Sequence, residues 1–325
     1  MAAMTSWDTV ETPRDELVNG ANGAHLFLRA RGAPRQPGEP VVIFEAGLGV
    51  SSATWAAVQR LLDPRIRSIR YDRAGYGRSP PSKNERTASN IAAELLDVLR
   101  AAKVQPPYII AASSFGGIIG REFLAAAGQE AMAGMVFVDT AHEKTAETLR
   151  FPHQAIAFLL NGRDYFEAIG FFDDCALTPE EIQQFKDDAK EPTAIPTADG
   201  EGINARESAA TLGERKQFDA QILGMKPVIV IRGDSGQDFR RMLKTVAGDE
   251  QDADTIEYTN DVKEFISERL DKLDRACQME QLKLSGNSRF LQAQKSTHAV
   301  ITTEPELVAE AILDVWQRSI SGKLF

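Results

Sequence analysis

Cysteine is almost absent from this chain: there are two in 325 residues, Cys175 and Cys277. Two distant thiols build no disulfide framework, and neither sits in a C-x-x-C pattern suited to redox or zinc chemistry. Both read as ordinary thiols. No apolar run approaches the ~20 residues that span a bilayer. Met1 to Glu16 carry Asp8, Glu11 and Asp15 and no apolar stretch, so no secretory signal is expected. Basic clusters are also missing. With 37 basic against 47 acidic residues, a net charge of −10, the chain lacks the footprint of a nucleic-acid or anionic-membrane binder. The final Gly322-Lys323-Leu324-Phe325 matches no lipidation or peroxisomal signal. There is no internal repeat and no low-complexity tract. These absences leave a soluble, cytoplasmic globular protein as the expectation, with one large domain carrying an insertion or two modest ones.

What is present is an alternation. Val41-Val42-Ile43-Phe44-Glu45 is a continuous apolar run opening into Ala46-Gly47-Leu48-Gly49, as a buried parallel strand does when it ends in a loop. Ser51 to Leu62 reads as a helix stopped by Pro64, and Ile66 to Tyr71 as the next strand. Ile91, Leu95, Val98 and Leu99 share one face of a helix over 88–102. Tyr108-Ile109-Ile110-Ala111 and Met135-Val136-Phe137-Val138-Asp139 are two further strands with a helix between them. Before all of these, Ala24 to Gly32 reads as an edge strand. Such alternation predicts an α/β fold, a mostly parallel sheet with helices on both faces. From about Thr140 to Met225 no strong strand occurs, and this aromatic, irregular stretch reads as an inserted helical cap with a loop over 192–202. The core is expected to comprise 1–139 and 226–325, and the cap 140–225. The sheet resumes at Pro227 to Asp234, followed by a charged, loop-rich 235–261, a long amphipathic helix, and a short strand Arg289 to Ala293. Thr303-x-x-Glu306 has the spacing of a capping box for the last helix, Pro305 to Trp316.

Ala111-Ala112-Ser113-Ser114-Phe115-Gly116-Gly117 joins a strand to a helix. A serine among very small residues at that junction is a nucleophile elbow, with the hydroxyl held above the sheet edge at a helix N-terminus. The elbow tolerates only small residues two positions either side. Ser114 meets that rule with Ala112 and Gly116, whereas Ser113 would have Phe115. Gly47, Ser114 and Asp139 each follow a predicted strand directly, at the strand ends where open parallel sheets bind ligands.

Several stretches in this order resemble the α/β-hydrolase superfamily, in particular its capped esterase, lactonase and haloalkane-dehalogenase-like members. They are Glu45-Ala46-Gly47-Leu48-Gly49 with Ser51-Ser52 and Trp55, Tyr71 to Ser79, Ser113 to Gly117, and Thr297-His298 followed by Glu304 to Val308. The likeness covers roughly residues 24–140 and 226–318. It implies that Ser114 is the nucleophile and that the backbone N–H groups of Leu48 and Phe115 form an oxyanion hole, each donor commonly worth roughly 3–4 kcal/mol. The family usually has histidine at the positions of Ala46 and Ser113. Of the four histidines, His298 stands in the place of the general base, while His25 lies on the first strand, His142 at the cap entry and His153 within the cap. The acid is Asp139, after the strand that follows the elbow, or Asp234, after the next core strand. Asp139 is preferred because the family's later aspartate stands three residues past a glycine, where this chain has Gly236.

The expectation is a serine hydrolase without cofactor or metal, cleaving an ester or lactone of an apolar small molecule through an acyl-enzyme. Gly47, Ser113, Phe158 and Phe166 are candidate substrate contacts. A serine in the nucleophile place argues against dehalogenase and epoxide-hydrolase chemistry, which use aspartate there. A C–C or amide hydrolase, or a hydrolase-fold protein that only binds a ligand or catalyses a non-hydrolytic step, remains open. Glu45 is expected to point away from the oxyanion and pair with Arg73 or Arg78. No nucleic-acid or membrane partner is expected.

Overall fold

The computed structural model describes residues 6–246 and 252–325. Eight strands form one sheet: β1 (Arg14–Asn19), β2 (His25–Arg31), β3 (Val41–Glu45), β4 (Ser68–Asp72), β5 (Tyr108–Ser113), β6 (Met132–Val138), β7 (Val228–Arg232) and β8 (Ser288–Gln292). Their order is β1-β2-β4-β3-β5-β6-β7-β8, with β1 and β2 antiparallel to their neighbours and the rest parallel. After β3 the chain steps outward to β4, then returns to lay β5 on the other side of β3. The loops after β3 and β5 therefore leave in opposite directions and open a crevice at the strand ends. Gly47 and Ser114 stand on its two sides.

The strands are apolar because both faces are covered. Val41 and Ile43 pack toward α2 (Ala88–Ala101) and α3 (Gly116–Ala127). Val42 and Phe44 pack toward α1 (Ala56–Leu62) and the last helix, which here spans Pro305–Ser321. All four are fully buried, at about 1.5–3 kcal/mol of favourable transfer each. Among the described residues no helix is long and apolar enough to cross a membrane.

A helical layer covers the crevice. It comprises α4 (Thr145–Leu149), α5 (His153–Leu160), α6 (Tyr165–Ala168), α7 (Pro179–Lys190), α8 (Ala194–Glu214), α9 (Ser235–Val246) and α10 (Ala253–Glu264). A π-helical stretch, Phe265–Asp274, and α11 (Arg275–Glu280) follow before β8. The layer draws on two segments of chain. Leu149, Leu159 and Phe171 from the first share an apolar cluster with Phe239, Met242, Phe265 and Leu270 from the second.

Four local expectations are corrected. The polar β1 is the true edge, and β2 is the second strand in. The stretch 192–202 is helical from Ala194 onward: Pro196 falls in the first turn of α8, where no N–H partner is lost, and Gly200 packs against the stem of Arg86. The part of 235–261 that is described forms α9 and α10 rather than loops, because Phe239, Met242 and Val262 are buried. The capping box does not form. Glu304 is the N-cap without a side-chain cap bond, and its carboxylate instead accepts from the Lys295 N–H and the Ser296 hydroxyl. The short α12 (Val300–Thr303) precedes the last helix, α13, and Thr303 bonds back to the Ala299 carbonyl.

Candidate active site

Ser114 occupies the turn between β5 and α3 with φ +52°, a left-handed conformation that costs a non-glycine residue of order 1–3 kcal/mol. Three backbone bonds hold it there. Its N–H donates to the Val138 carbonyl, and its own carbonyl accepts from Gly117 at 3.1 Å and Ala141 at 2.9 Å. The small residues around it are required by contact. A Cβ on Gly116 would stand 2.6 Å from the Ala46 carbonyl oxygen, and one on Gly117 would stand 2.6 Å from Thr140 Cβ. Across the crevice, a Cβ on Gly47 would lie 3.1 Å from Ser114 Cβ. Ser113 is buried at the end of β5. Among the described residues, the N–H groups of Leu48 and Phe115 have no acceptor within the protein.

Asp139 follows β6 in the same left-handed conformation, with φ +48°. Its buried carboxylate is filled with donors: Oδ1 accepts from Gly233 N–H at 2.9 Å, and Oδ2 from the Ser235 hydroxyl at 2.7 Å. The third partner is His298, whose Nδ1 lies 2.6 Å from Oδ2. Burial raises the Asp139 pKa, but these partners outweigh it and hold the carboxyl below its ordinary value. An ionised acceptor keeps the proton on Nδ1 and leaves Nε2 of His298 as the basic nitrogen. Burial pulls the imidazole down, while the bond and charge of Asp139, then Asp238 and Asp274, carry it up to about 9. Asp238 also accepts the backbone N–H of His298 at 3.0 Å.

Asp234 is elsewhere. Its carboxylate is 37% exposed, accepts from Gln237 and lies 4.0 Å from Arg240. The structure thus brings Asp139, and not Asp234, to His298. His25, at the start of β2, pairs with Asn19 at the end of β1, and buried His142 accepts from the Lys144 N–H. His153 stands beside Phe151 in α5. Phe166 is half-buried in an aromatic group with Phe171 and Phe185, in the cluster that reaches Val50 and Ala299, neighbours of the oxyanion loop and of His298. Phe158 is 43% exposed and lies against Tyr258.

Glu45 pairs with Arg73 at 3.1 Å and accepts a short bond from the Tyr71 hydroxyl, whereas Arg78 lies over the Phe27 ring. Burial pushes the Glu45 carboxyl up to about 7 against the opposing pull of both partners. Sequence reasoning missed Ser235 and Asp238, which support the acid and the base. It also missed Glu201, a buried carboxylate of α8 bonded to Arg73. Each is an ordinary polar residue in a polar stretch, with no motif to mark it. Among the described residues no group of three His, Cys, Asp or Glu side chains is arranged to hold a metal ion. A cavity of about 590 Å³ lies at the opposite, N-terminal ends of the strands, lined by Pro40, Pro107 and Pro227, the residues before β3, β5 and β7. It is a strand length, roughly 20 Å, from Ser114.

Comparison with known proteins agrees with this architecture. The model of the α/β-hydrolase fold family matches residues 39–237. An AB hydrolase superfamily protein of Gibberella zeae is 36% identical over 92% of this chain and 94% of its own length. Two solved structures share the fold at low identity. An esterase from Thermogutta terrifontis has TM-score 0.57 and 17% identity, covering 94% of this chain and 99% of that one. The enol-lactonase from Burkholderia xenovorans has TM-score 0.58 and 16% identity, covering 93% and 100%. The chain belongs to the α/β-hydrolase family of enzymes.

Proposed function

We propose that this protein is a serine hydrolase that cleaves an ester or lactone of an apolar small molecule through an acyl-enzyme. The observation that carries the reading is the 2.6 Å bond from His298 Nδ1 to a buried Asp139, at the strand ends beside the strained Ser114. Nε2 of His298 takes the proton of the Ser114 hydroxyl as the oxygen attacks the carbonyl carbon. Asp139 stabilises the imidazolium so formed, and the N–H groups of Leu48 and Phe115 receive the negative charge on the carbonyl oxygen. The tetrahedral species collapses as His298 returns the proton to the leaving alkoxide. Water, deprotonated by His298, then attacks the acyl-serine, and the second tetrahedral species collapses to the acid as His298 returns that proton to Ser114 Oγ. The apolar cluster ending at Val50 and Ala299 supports an apolar substrate. The esterase and lactonase among the fold's relatives support the choice of bond.

The test is labelling of the intact protein by a fluorophosphonate, which requires an activated serine. An adduct mapped by mass spectrometry to the peptide holding Ser114, with turnover of short-chain aryl esters or lactones, is the expected result. A folded protein that takes no label would put a ligand-binding role ahead of hydrolysis.

The pH dependence has a definite sign. The base must be neutral, so kcat/KM is expected to rise as pH rises through about 9 and to level off above it. Stability runs the other way. The His298–Asp139 pair contributes fully below the unfolded imidazole value of about 6.5 and is lost as pH climbs through 9. With the His298 side chain 43% exposed, the stability effect is small. A pH–rate profile centred near 6 would contradict the electrostatic picture of the three carboxylates.

A further inference from the structure

Arg73 is 1% exposed at its side chain, and every one of its five N–H donors is engaged. Nε donates to Glu201 Oε1 at 2.8 Å, and Nη2 to Glu201 Oε2 at 3.1 Å, a fork on the carboxylate of α8. Nη1 donates to Glu45 Oε1 at 3.1 Å and to the Ala46 carbonyl at 2.9 Å. The remaining Nη2 proton goes to the Gly47 carbonyl at 2.6 Å. That last bond matters most, because the Gly47 carbonyl and the Leu48 N–H belong to one peptide unit. A trans peptide is planar, with C=O and N–H pointing in opposite directions. Anchoring the carbonyl on Arg73 therefore fixes the direction of the Leu48 N–H.

Glu201 holds the other side of the same loop. Its Oε2 accepts the Gly49 N–H at 3.3 Å and the Tyr76 hydroxyl at 2.9 Å. The peptide bearing the Leu48 N–H is thus pinned before it by Arg73 and after it by Glu201, and these two grip each other. Glu201 is fully buried, and α8 is tied to the core on both sides of it. Thr193 donates to the Gly75 carbonyl at 2.8 Å, a Cβ on Gly75 would meet Thr197 Oγ1, and Ser208 accepts the Ala88 N–H at 3.0 Å.

We infer that Glu201 and Arg73 are positioning residues that aim the Leu48 N–H at the developing oxyanion, so that the oxyanion hole is completed by the helical layer. This rests on the reading of Leu48 as an oxyanion donor. Neither side chain touches substrate. Their effect falls on the transition state and on tetrahedral adducts rather than on substrate binding. The half of the layer built on α8 is accordingly a fixed wall of the site.

The experiment compares wild type with Glu201→Gln and Arg73→Lys. Glutamine turns one carboxylate oxygen into a donor facing donors. Lysine keeps the charge but cannot span Glu201, Glu45 and two carbonyls at once. For each folded variant, kcat, KM and the affinity of a trifluoromethyl ketone, which forms a tetrahedral oxyanion adduct on serine, are measured. The expected result is a fall of about 10- to 100-fold in kcat and a parallel fall in ketone affinity, with KM little changed, short of the loss on removing a donor outright. Where Glu201→Gln does not fold, Glu201→Asp keeps the buried charge, shortens its reach to Gly49 and is read in the same way. Wild-type kcat and ketone affinity in a folded Glu201 variant would overturn the inference. So would a fall in kcat with ketone affinity intact, which marks a structural role alone. Failure of the wild type to take the ketone or a fluorophosphonate would instead remove the hydrolase reading, and this inference with it.

Discussion

Asp139→Asn is expected to lower kcat by roughly 10³- to 10⁴-fold, Ser114→Ala by at least as much, and Asp234→Asn to leave kcat within about twofold of wild type. The asymmetry between the two aspartates follows from their partners. Asp139 accepts from three donors, Gly233 N–H, the Ser235 hydroxyl and His298 Nδ1. Asparagine has one carbonyl oxygen to offer. If that oxygen keeps the Gly233 bond, the amide group stands where Oδ2 was and presents a donor to Nδ1. The imidazole must then accept at Nδ1 and carry its proton on Nε2, the nitrogen that has to take the serine proton. The variant also removes the negative charge that stabilises imidazolium, so the pH midpoint of the residual activity should fall below that of wild type. Asp234 is 37% exposed and bonded to Gln237, and its charge is not part of this arrangement. Steady-state rates for the three variants decide the matter. Equal losses at Asp139 and Asp234, or a loss at Asp234 alone, would move the acid to the later strand.

Much of the scaffold was legible because a parallel sheet covered on both faces demands unbroken apolar runs. β3, β5, β6 and β7 are such runs, and each stands where the pattern places it. β1 was invisible for the converse reason. As an edge strand it buries little more than Val18, so its sequence keeps the polarity of a loop. α8 was hidden by Pro196, Gly200 and Gly202, residues that read as breakers. A proline in the first turn costs no hydrogen bond, and Gly200 permits close packing on Arg86. The site shows the same division. Ser114, Gly116 and Gly117 were legible because sterics at a tight turn dictate small residues. Glu201, Ser235 and Asp238 were not, since a hydrogen bond between segments far apart in sequence leaves no periodic trace. The capping box failed for a related reason: Glu304 found donors at Lys295 and Ser296, and the helix start followed the tertiary bond rather than the local spacing.

The second large effect is expected at Gly233, where the acid and base loops meet. A Cβ there would lie 1.9 Å from the Thr297 carbonyl oxygen and 3.0 Å from Val300 Cγ2, well inside contact distance. Neither side can yield easily. Gly233 N–H is bonded to Asp139, Asp234 N–H to the Ser296 carbonyl, and Ala293 N–H to the Arg232 carbonyl, which ties the end of β7 to the segment after β8. Gly233→Ala must therefore push Thr297, and His298 with it, away from Asp139. Overpacking of this kind typically costs about 1–3 kcal/mol of stability, and a displacement of about 1 Å at a reacting group can cost roughly 10²-fold in rate. The expected outcome is a lower Tm together with a kcat reduced by about that factor at temperatures where the variant is fully folded. Gly202→Ala is the control. It lies in α8 with open space around its Cα and should gain up to about 1 kcal/mol from helix propensity with unchanged turnover. Thermal melts and rates on the two variants separate the accounts. A Gly233→Ala protein with wild-type Tm and kcat would mean that the two loops are not in contact, and the support for His298 would have to be sought elsewhere. A loss of Tm with kcat intact would show that the loops pack together but that His298 holds its place through Asp139 and Asp238 alone.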